Sequence, residues 1–532
     1  MNAQPANETD VLVIGAGASG AALTWRLAQA GVRVICLEQG DWVAPEQIPT
    51  TRADWEIARQ TVWSPNPNIR RLAQDYPVRD DETPIKPQMF NGVGGSTIMW
   101  SCFCPRFHPH DFKVRSTDGV AADWPLSYDE LAPYYDLNDR MMGMSGLAGD
   151  PSVPARTPRP MPPLPIGAAG RTLACAFDKL GWHWWPADMA RNSVEYRGRG
   201  ACNNCGACEA GCVNGAKATV DITYWPAAIK YGAELRTGAR VFEITTGTNG
   251  RATGARYYDR RGSVISVRAS AVVVAANGIG TPRLLLLSRS PRFPDGLANS
   301  SGFVGRNLMF HPIAAVTGVF DRPLDEDQGG AASILSNEFY GSRRGHDFVR
   351  GYMLAGPRTQ APLATALGAF GRRIPWGARH HEQFERLFGH SGLLVICGED
   401  LPRESNCVLL DSELKDSDGI AAPRLVYELD ENSRNMIRHG MARSKEIWDA
   451  AGASETIEIP LLAQTGFHLM GTARMGEDPQ RSVVDRYGRS HDVDNLFIVD
   501  GSVFVTAAAV NPTPTIQALA LRTADHMLAT RH

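Results

Sequence analysis

The chain lacks any uninterrupted apolar run of about 18 residues, so no part of it reads as a membrane span. It also lacks a basic excess. With a formal net charge of −3 it has little to neutralise a run of phosphates, so nucleic acid is not an expected partner. The first ten residues, Met1 to Asp10, carry no Lys or Arg ahead of an apolar stretch. The layout of a secretory signal is missing there, and a cytoplasmic location is expected. Ten cysteines are present, but they are not spread as a disulfide framework. Four crowd into Cys202, Cys205, Cys208 and Cys212, and Cys102 and Cys104 form a second group. In a chain of this length without an export signal, that distribution points to thiols or a metal centre.

The composition, 43% hydrophobic and 21% charged, is that of a soluble globular protein, and 532 residues are too many for one ordinary core. Residues 10 to 40 read as strand, glycine turn, helix and strand, with the helix over about Ala18 to Ala30. From Asp41 to about Lys86 the pattern is irregular and rich in Pro and Trp. Pro151 to Pro165 holds seven prolines in fifteen residues, which excludes helix and central strand. Ala271 to Ala276 reads as a buried strand. The segment from about Phe310 to Leu462 alternates short apolar runs with charged turns, as a separate sheet-rich layer would. A closing helix is predicted over Thr513 to Leu528.

Two motifs at opposite ends carry chemistry. Val11 to Ile14 runs into Gly15-x-Gly17-x-x-Gly20, with Ala18 and Ser19 inside the motif, and Glu38 closes the next apolar run. The three glycines suit a tight turn, a close approach to pyrophosphate, and helix–strand contact. The helix N-terminus offers amides to the diphosphate, and Glu38 can take ribose hydroxyls. Far downstream, Gly466-Phe467-His468-Leu469-Met470-Gly471-Thr472 places an imidazole on a glycine-flanked turn, and Asn511-Pro512-Thr513 follows Asp500-Gly501. Removing a hydroxyl proton calls for a base that titrates near neutral pH, and histidine suits. Asn511 can hydrogen-bond a substrate oxygen.

The cradle, the Asn91-Gly92-Val93-Gly94-Gly95-Ser96-Thr97 stretch, Gly278 to Leu285, and the His468 and Asn511 segments fall in one order along nearly the whole chain. In this the chain resembles the glucose–methanol–choline (GMC) family of FAD oxidoreductases. Ser288 is followed by Arg289, where the family's second signature usually continues Ser-Gly. The resemblance implies an α/β fold: a Rossmann-like FAD-binding domain with a sheet-rich, α+β substrate-binding domain inserted. The expected boundaries are 1–150, 200–309 and 466–532 for the first, and 151–199 and 310–465 for the second. It further implies that Gly15, Gly17, Gly20 and Glu38 hold the ADP half of FAD. Gly94, Gly95 and Ser96 would lie along the flavin, with the Val241 backbone facing the adenine. Asp500, Gly501, Pro512 and Thr513 would hold the ribityl–pyrophosphate side and the ring. Some sugar-oxidising relatives attach flavin covalently to a histidine after the glycine loop. Here Met99 stands about there, so non-covalent FAD is expected. The implied reaction is oxidation of a primary or secondary alcohol, of a sugar, glycoside or other small molecule, with His468 taking the proton and flavin N5 the hydride. Oxygen and other electron acceptors both stay open.

Cys202-x-x-Cys205-x-x-Cys208-x-x-x-Cys212 has the spacing of a bacterial ferredoxin run, although Val213 replaces the usual proline and no second run exists. An iron–sulfur cluster is therefore an alternative to a cysteine-rich structural turn, and it would make the chain a dehydrogenase subunit passing electrons to a partner. A non-redox lyase that keeps FAD is the other rival, because fold does not dictate reaction. His108, His110 and His311, each beside a proline, are expected to be structural. His380 and His381 read as a solvated face or a lid. Trp182 to Pro186 reads as core or as a pocket wall.

Overall fold

The structure, a computed structural model, describes residues 7–324, 333–357, 361–368 and 374–530. The first strand, Glu8–Ile14, is buried along Val11–Ile14 and pairs in parallel with Val34–Leu37 on one side and Val264–Val274 on the other. Val34–Leu37 and the Val272–Val274 end of the other neighbour are apolar and buried, as parallel strands covered on two faces must be. Glu234–Arg236 adds to one edge in parallel, and Leu496–Ile498 pairs with the inner half of Val264–Val274. Ala252–Tyr258 and Arg240–Thr246 extend the other edge antiparallel, completing seven strands.

The helix Ala18–Gln29 buries Ala21, Ala22, Leu23 and Ala28, and its small residues let the C-terminal helix Thr513–Ala529 lie close. That second helix buries Ala518, Ala520 and Ala524 in return, so the two ends of the chain meet on one face of this sheet. The strand expected from Ala271 starts earlier, at Val264, and stops at Val274, where the chain turns into the helix Asn277–Leu287.

A second, antiparallel sheet has the order Glu455–Ile459, Ile313–Val319, Ser391–Gly398, Tyr352–Gly356, Ile334–Ser336 and Trp185–Pro186. Its inner strands, Ile313–Val319, Ser391–Gly398 and Tyr352–Gly356, are apolar at nearly every position because both faces are covered. One face, with Ala314, Val316, Leu354, Leu394 and Ile396, packs on the helix Glu431–Ala451 through Met436, Ile437 and Trp448. The Trp448 indole donates to the Val316 carbonyl at 2.9 Å, and Gly318 leaves room for the ring. The alternate residues on these strands form the opposite face. A third sheet joins Arg79–Glu82 to Ala421–Val426 and Cys407–Lys415, so residues 407–426 associate with a strand from the first part of the chain.

Trp182 meets Phe339 edge-on at 5.1 Å, the Trp184 indole donates to Asp178, and the Trp185 indole donates to the Leu147 carbonyl. Of the two readings for this segment, the structure takes packing. No helix among the described residues is long and apolar enough to cross a membrane.

Candidate active site

The glycine turn is dictated by contact distances. The amide of Gly15 donates to Leu37 O, and Gly15 has φ +107°, where a Cβ would also stand 2.4 Å from Ala275 O. A Cβ on Gly20 would lie 2.0 Å from Gly15 O. Gly17 instead faces open space, meeting only Gly95 Cα at 3.8 Å. Glu38 is buried, with Oε2 accepting from the Ala16 amide and Oε1 from the Gly40 amide, each at 2.9 Å. Burial pushes its carboxyl upward against the pull of those amides.

One cavity of about 1290 Å³ runs from this turn past Gly95, Ser96 and Val241 to Asp500, Gly501, His468 and Asn511. Gly15, Gly17, Ala18, Ser19, Glu38, Met99, Pro512 and Thr513 also border it. Gly20 and Gly94 do not line it; they shape the turns behind it. Pockets for drug-sized ligands span about 300–1,000 Å³, so this larger cavity has space for a dinucleotide and a small second molecule. The glycine turn, the helix N-terminus, the buried acid and this length of cavity fit FAD.

The base segment sits between two other chain segments. Gly466 pairs with the backbone at Lys86 to Gln88, and a Cβ there would stand 2.5 Å from Lys86 O. Met470 and Met309 exchange amide hydrogen bonds at 3.1 and 3.0 Å in an antiparallel bridge. Gly278 and Gly501 both approach Leu469 O, where a Cβ would come within 2.4 and 2.6 Å. The Thr472 hydroxyl donates to the Gly278 carbonyl. Asp500 is held by the Thr281 hydroxyl and the Ser502 amide, and burial raises its carboxyl.

His468 is half-buried on the cavity wall, with Nε2 3.3 Å from Asn511 Nδ2. The buried Asn511 Oδ1 has no hydrogen-bond partner. His468 Nδ1 lies 2.7 Å from Nδ1 of His311, and His311 Nε2 lies 2.8 Å from the carbonyl of Ala508. Burial drives the His468 imidazole well below its usual range, and His311 beside it adds to the fall. His311, fully enclosed, is lowered to about 4 by burial. His311, expected to be structural, contacts the candidate base. Its only sequence cue is a lone histidine before Pro312, and its partner is 157 residues away.

The other histidines sit elsewhere. His108 stacks on Tyr340 at 4.0 Å, and His110 meets the same ring edge-on. His380 and His381 lie on the helix Ala378–Leu387, outside the cavity lining.

The iron–sulfur alternative finds no support. All ten cysteines are free thiols, and no group of three or more metal-holding side chains gathers among the described residues. The thiols have local partners: Cys208 accepts from Arg191, Cys212 donates to Asn214, and Cys202 accepts from the Asn204 amide. The buried Lys217 ammonium donates to the carbonyls of Cys208, Ile98 and Trp100. It thereby ties the cysteine loop to the glycine-rich loop bordering the cavity, and burial lowers its pKa.

Comparison with known proteins agrees with this geometry. Family profiles described as GMC oxidoreductase match residues 9–313 and 402–520. The chain is 45% identical over 530 residues to the 2-methyl-1,2-propanediol dehydrogenase of Mycolicibacterium austroafricanum, covering 98% of this chain and 95% of that protein. It is 34% identical to the fructose dehydrogenase large subunit of Gluconobacter japonicus, covering 98% of each. In fold it is similar to pyridoxine 4-oxidase from Mesorbium loti, with a TM-score of 0.71 at 18% identity, covering 98% of this chain and all of that one. The chain belongs to the GMC oxidoreductase family and is an FAD-dependent oxidoreductase acting on CH–OH groups.

Proposed function

We propose that this chain oxidises an uncharged primary or secondary alcohol, a small diol or a sugar, to the carbonyl compound, with His468 Nε2 as proton acceptor and Asn511 Nδ2 as donor to the reacting oxygen. The observation that carries this is the convergence of those two nitrogens, 3.3 Å apart, on the cavity that also holds the glycine cradle. An alcohol oxygen seated between them gives its proton to Nε2 and receives the Asn511 N–H, which favours the developing alkoxide. FAD, when bound, supplies the hydride acceptor at N5.

The residues that would hold FAD are Gly15, Gly17, Ala18, Ser19 and Gly20 at the pyrophosphate and Glu38 at the ribose. Val241 would face the adenine, and Gly94, Gly95, Ser96, Asp500, Gly501, Pro512 and Thr513 would surround the rest. Binding is non-covalent in this reading. His468 is the one histidine of the cavity lining among the described residues, and Met99 stands after the glycine loop. The division into an FAD-binding domain (1–150, 200–309, 466–532) and a substrate-binding domain (151–199, 310–465) follows the same reading.

The wall formed by the six-stranded sheet bears on substrate class. Ile313, Met353, Ala355, Leu393, Val395 and Cys397 border the cavity from alternate positions of the six-stranded sheet, and none carries charge. Such a wall favours apolar flanks and disfavours a carboxylate or an ammonium seated against it; of the charged groups elsewhere in the lining, Arg59 pairs with Glu209 and Arg283 with Asp416. The 45% identical diol dehydrogenase directs attention to branched vicinal diols. The test is anaerobic titration of the flavin-loaded enzyme with neutral diols, sugars, sugar acids and amino sugars. Bleaching of the flavin by a neutral diol or sugar is expected. Retention of oxidised flavin with every neutral alcohol would overturn the proposal.

A further inference from the structure

We infer that His311 is a positioning residue that fixes His468 in the Nδ1–H tautomer, leaving Nε2 bare toward the substrate; this rests on the reading of His468 as the base. A carbonyl oxygen only accepts, so the 2.8 Å contact with Ala508 O puts the proton of His311 on Nε2. A neutral imidazole has one N–H, and Nδ1 of His311 is therefore an acceptor. At 2.7 Å from it, His468 Nδ1 must be the donor. His468 Nε2 is then unprotonated, and it is the atom that meets Asn511 at the cavity. This proton placement holds for a neutral His311. It is fully buried, its polar contacts include His468 and the backbone of Ala507 and Ala508, and no carboxylate among the described residues hydrogen-bonds to it.

The backbone builds this relay. In the antiparallel bridge Met309 opposes Met470, so His311, two residues after Met309, opposes His468, two residues before Met470, on the same face. The rings meet edge-on, at an interplanar angle of 85°. Ala508 adopts φ +55°, a left-handed conformation uncommon outside glycine, within a fully buried Ala507–Val510 run. His311 does not border the cavity and so acts through His468. When the substrate proton reaches Nε2, His468 becomes the imidazolium and its Nδ1–H stays on His311. One proton leaves the alcohol oxygen and one is gained by Nε2.

The first readout is the nitrogen NMR of ¹⁵N-histidine-labelled, flavin-loaded enzyme without substrate. His468 should show Nδ1 protonated and Nε2 bare, and a protonated Nε2 in the neutral ring would overturn the inference whether or not any variant folds. His311→Leu should show both tautomers. Its rate of anaerobic flavin reduction at saturating substrate should fall about 10- to 10²-fold, less than the about 10²–10⁴-fold worth of a general base. Flavin content and substrate dissociation constant should stay within about two-fold of the parent enzyme, which a purely structural defect would not give. His311→Asn presents an amide oxygen in place of Nδ1 and should recover most of the rate. If His468→Ala abolishes reduction while His311→Leu matches the parent in tautomer and rate, the relay alone is wrong. If His468→Ala reduces flavin normally, the base reading itself fails.

Discussion

The seven-stranded and six-stranded sheets border one cavity by different means. The first does so with backbone. Its parallel strands end in turns where Gly15, Gly17 and the Ala16 amide face the cavity or hold Glu38, and where a single added Cβ collides with a carbonyl. The second does so with side chains. Leu393, Val395 and Cys397 alternate toward the cavity while Leu394 and Ile396 turn away into the core. A wall made of backbone tolerates no change of residue at its contacts, whereas a wall made of alternating side chains can change volume without moving the strand. Under the proposed function, the first sheet would bind the cofactor and the second would select the substrate. His468 lies where the two meet, on a segment bridged to Met309 just ahead of the strand Ile313–Val319.

Replacing Gly20 with Ala tests the backbone side, and its effect should be the largest. The new Cβ, 2.0 Å from Gly15 O, forces the helix away from the turn. Purified protein should contain no flavin, as read by absorbance per mole of chain, and added FAD should not restore it. Full flavin content in this variant would break the contrast between the two walls. Next in size is His468→Ala, expected to slow anaerobic flavin reduction by about 10²–10⁴-fold while leaving flavin content intact. Unequal losses in binding and rate are the point here, since the imidazole borders the cradle without supporting it.

On the side-chain wall, Trp448→Ala should cost about 3–5 kcal/mol of stability, because the indole is fully buried and loses its bond to Val316 O. Urea unfolding measures the loss. Molecules that remain folded should keep their flavin spectrum, since Trp448 packs on the face turned away from the cavity. A variant that loses flavin in step with stability would show that the two sheets do not divide their tasks.

What could be read in the sequence follows the same contrast. The cradle is local: strand, Gly15 to Gly20, helix and Glu38 lie within one run of chain, and the helix Ala18–Gln29 ends one residue short of expectation. The C-terminal helix from Thr513 was likewise legible from its own pattern, and it closes at Ala529. The α/β class and the GMC family follow from such local runs in the right order. His468 and Asn511 were visible as residue types on glycine- and proline-marked turns. Their approach to 3.3 Å was not, because it depends on Gly278 and Gly501 admitting the Leu469 carbonyl. His311 escaped for the same reason: its meaning comes from a bridge between segments far apart in sequence. The cysteine run left two readings open. Its spacing is local and regular, but its thiols turn to Arg191, Asn204 and Asn214, while Lys217 holds the loop by its carbonyls.

The smallest effect is expected in a region that belongs to neither wall. His108 is buried against Tyr340, and burial lowers its imidazole to about 4. Unfolded, it titrates near 6.5, so between about pH 6.5 and 4 the unfolded chain holds a proton that the folded chain does not. The unfolded state therefore gains as pH falls, and stability present above 6.5 is lost on the way down to 4. Carboxylates such as Asp400, raised to about 7 by burial, act in the opposite sense over part of this range. The total pH profile accordingly mixes both signs, and a difference isolates the histidine. The stability of the parent chain minus that of His108→Phe should fall with decreasing pH by about 1.4 kcal/mol per unit inside the window, and should be flat above it. Urea midpoints taken from pH 4 to 8 measure this. A difference that is constant across the whole range would mean that His108 takes up its proton over the same pH range folded and unfolded, in which case the charge of Asp111 offsets burial.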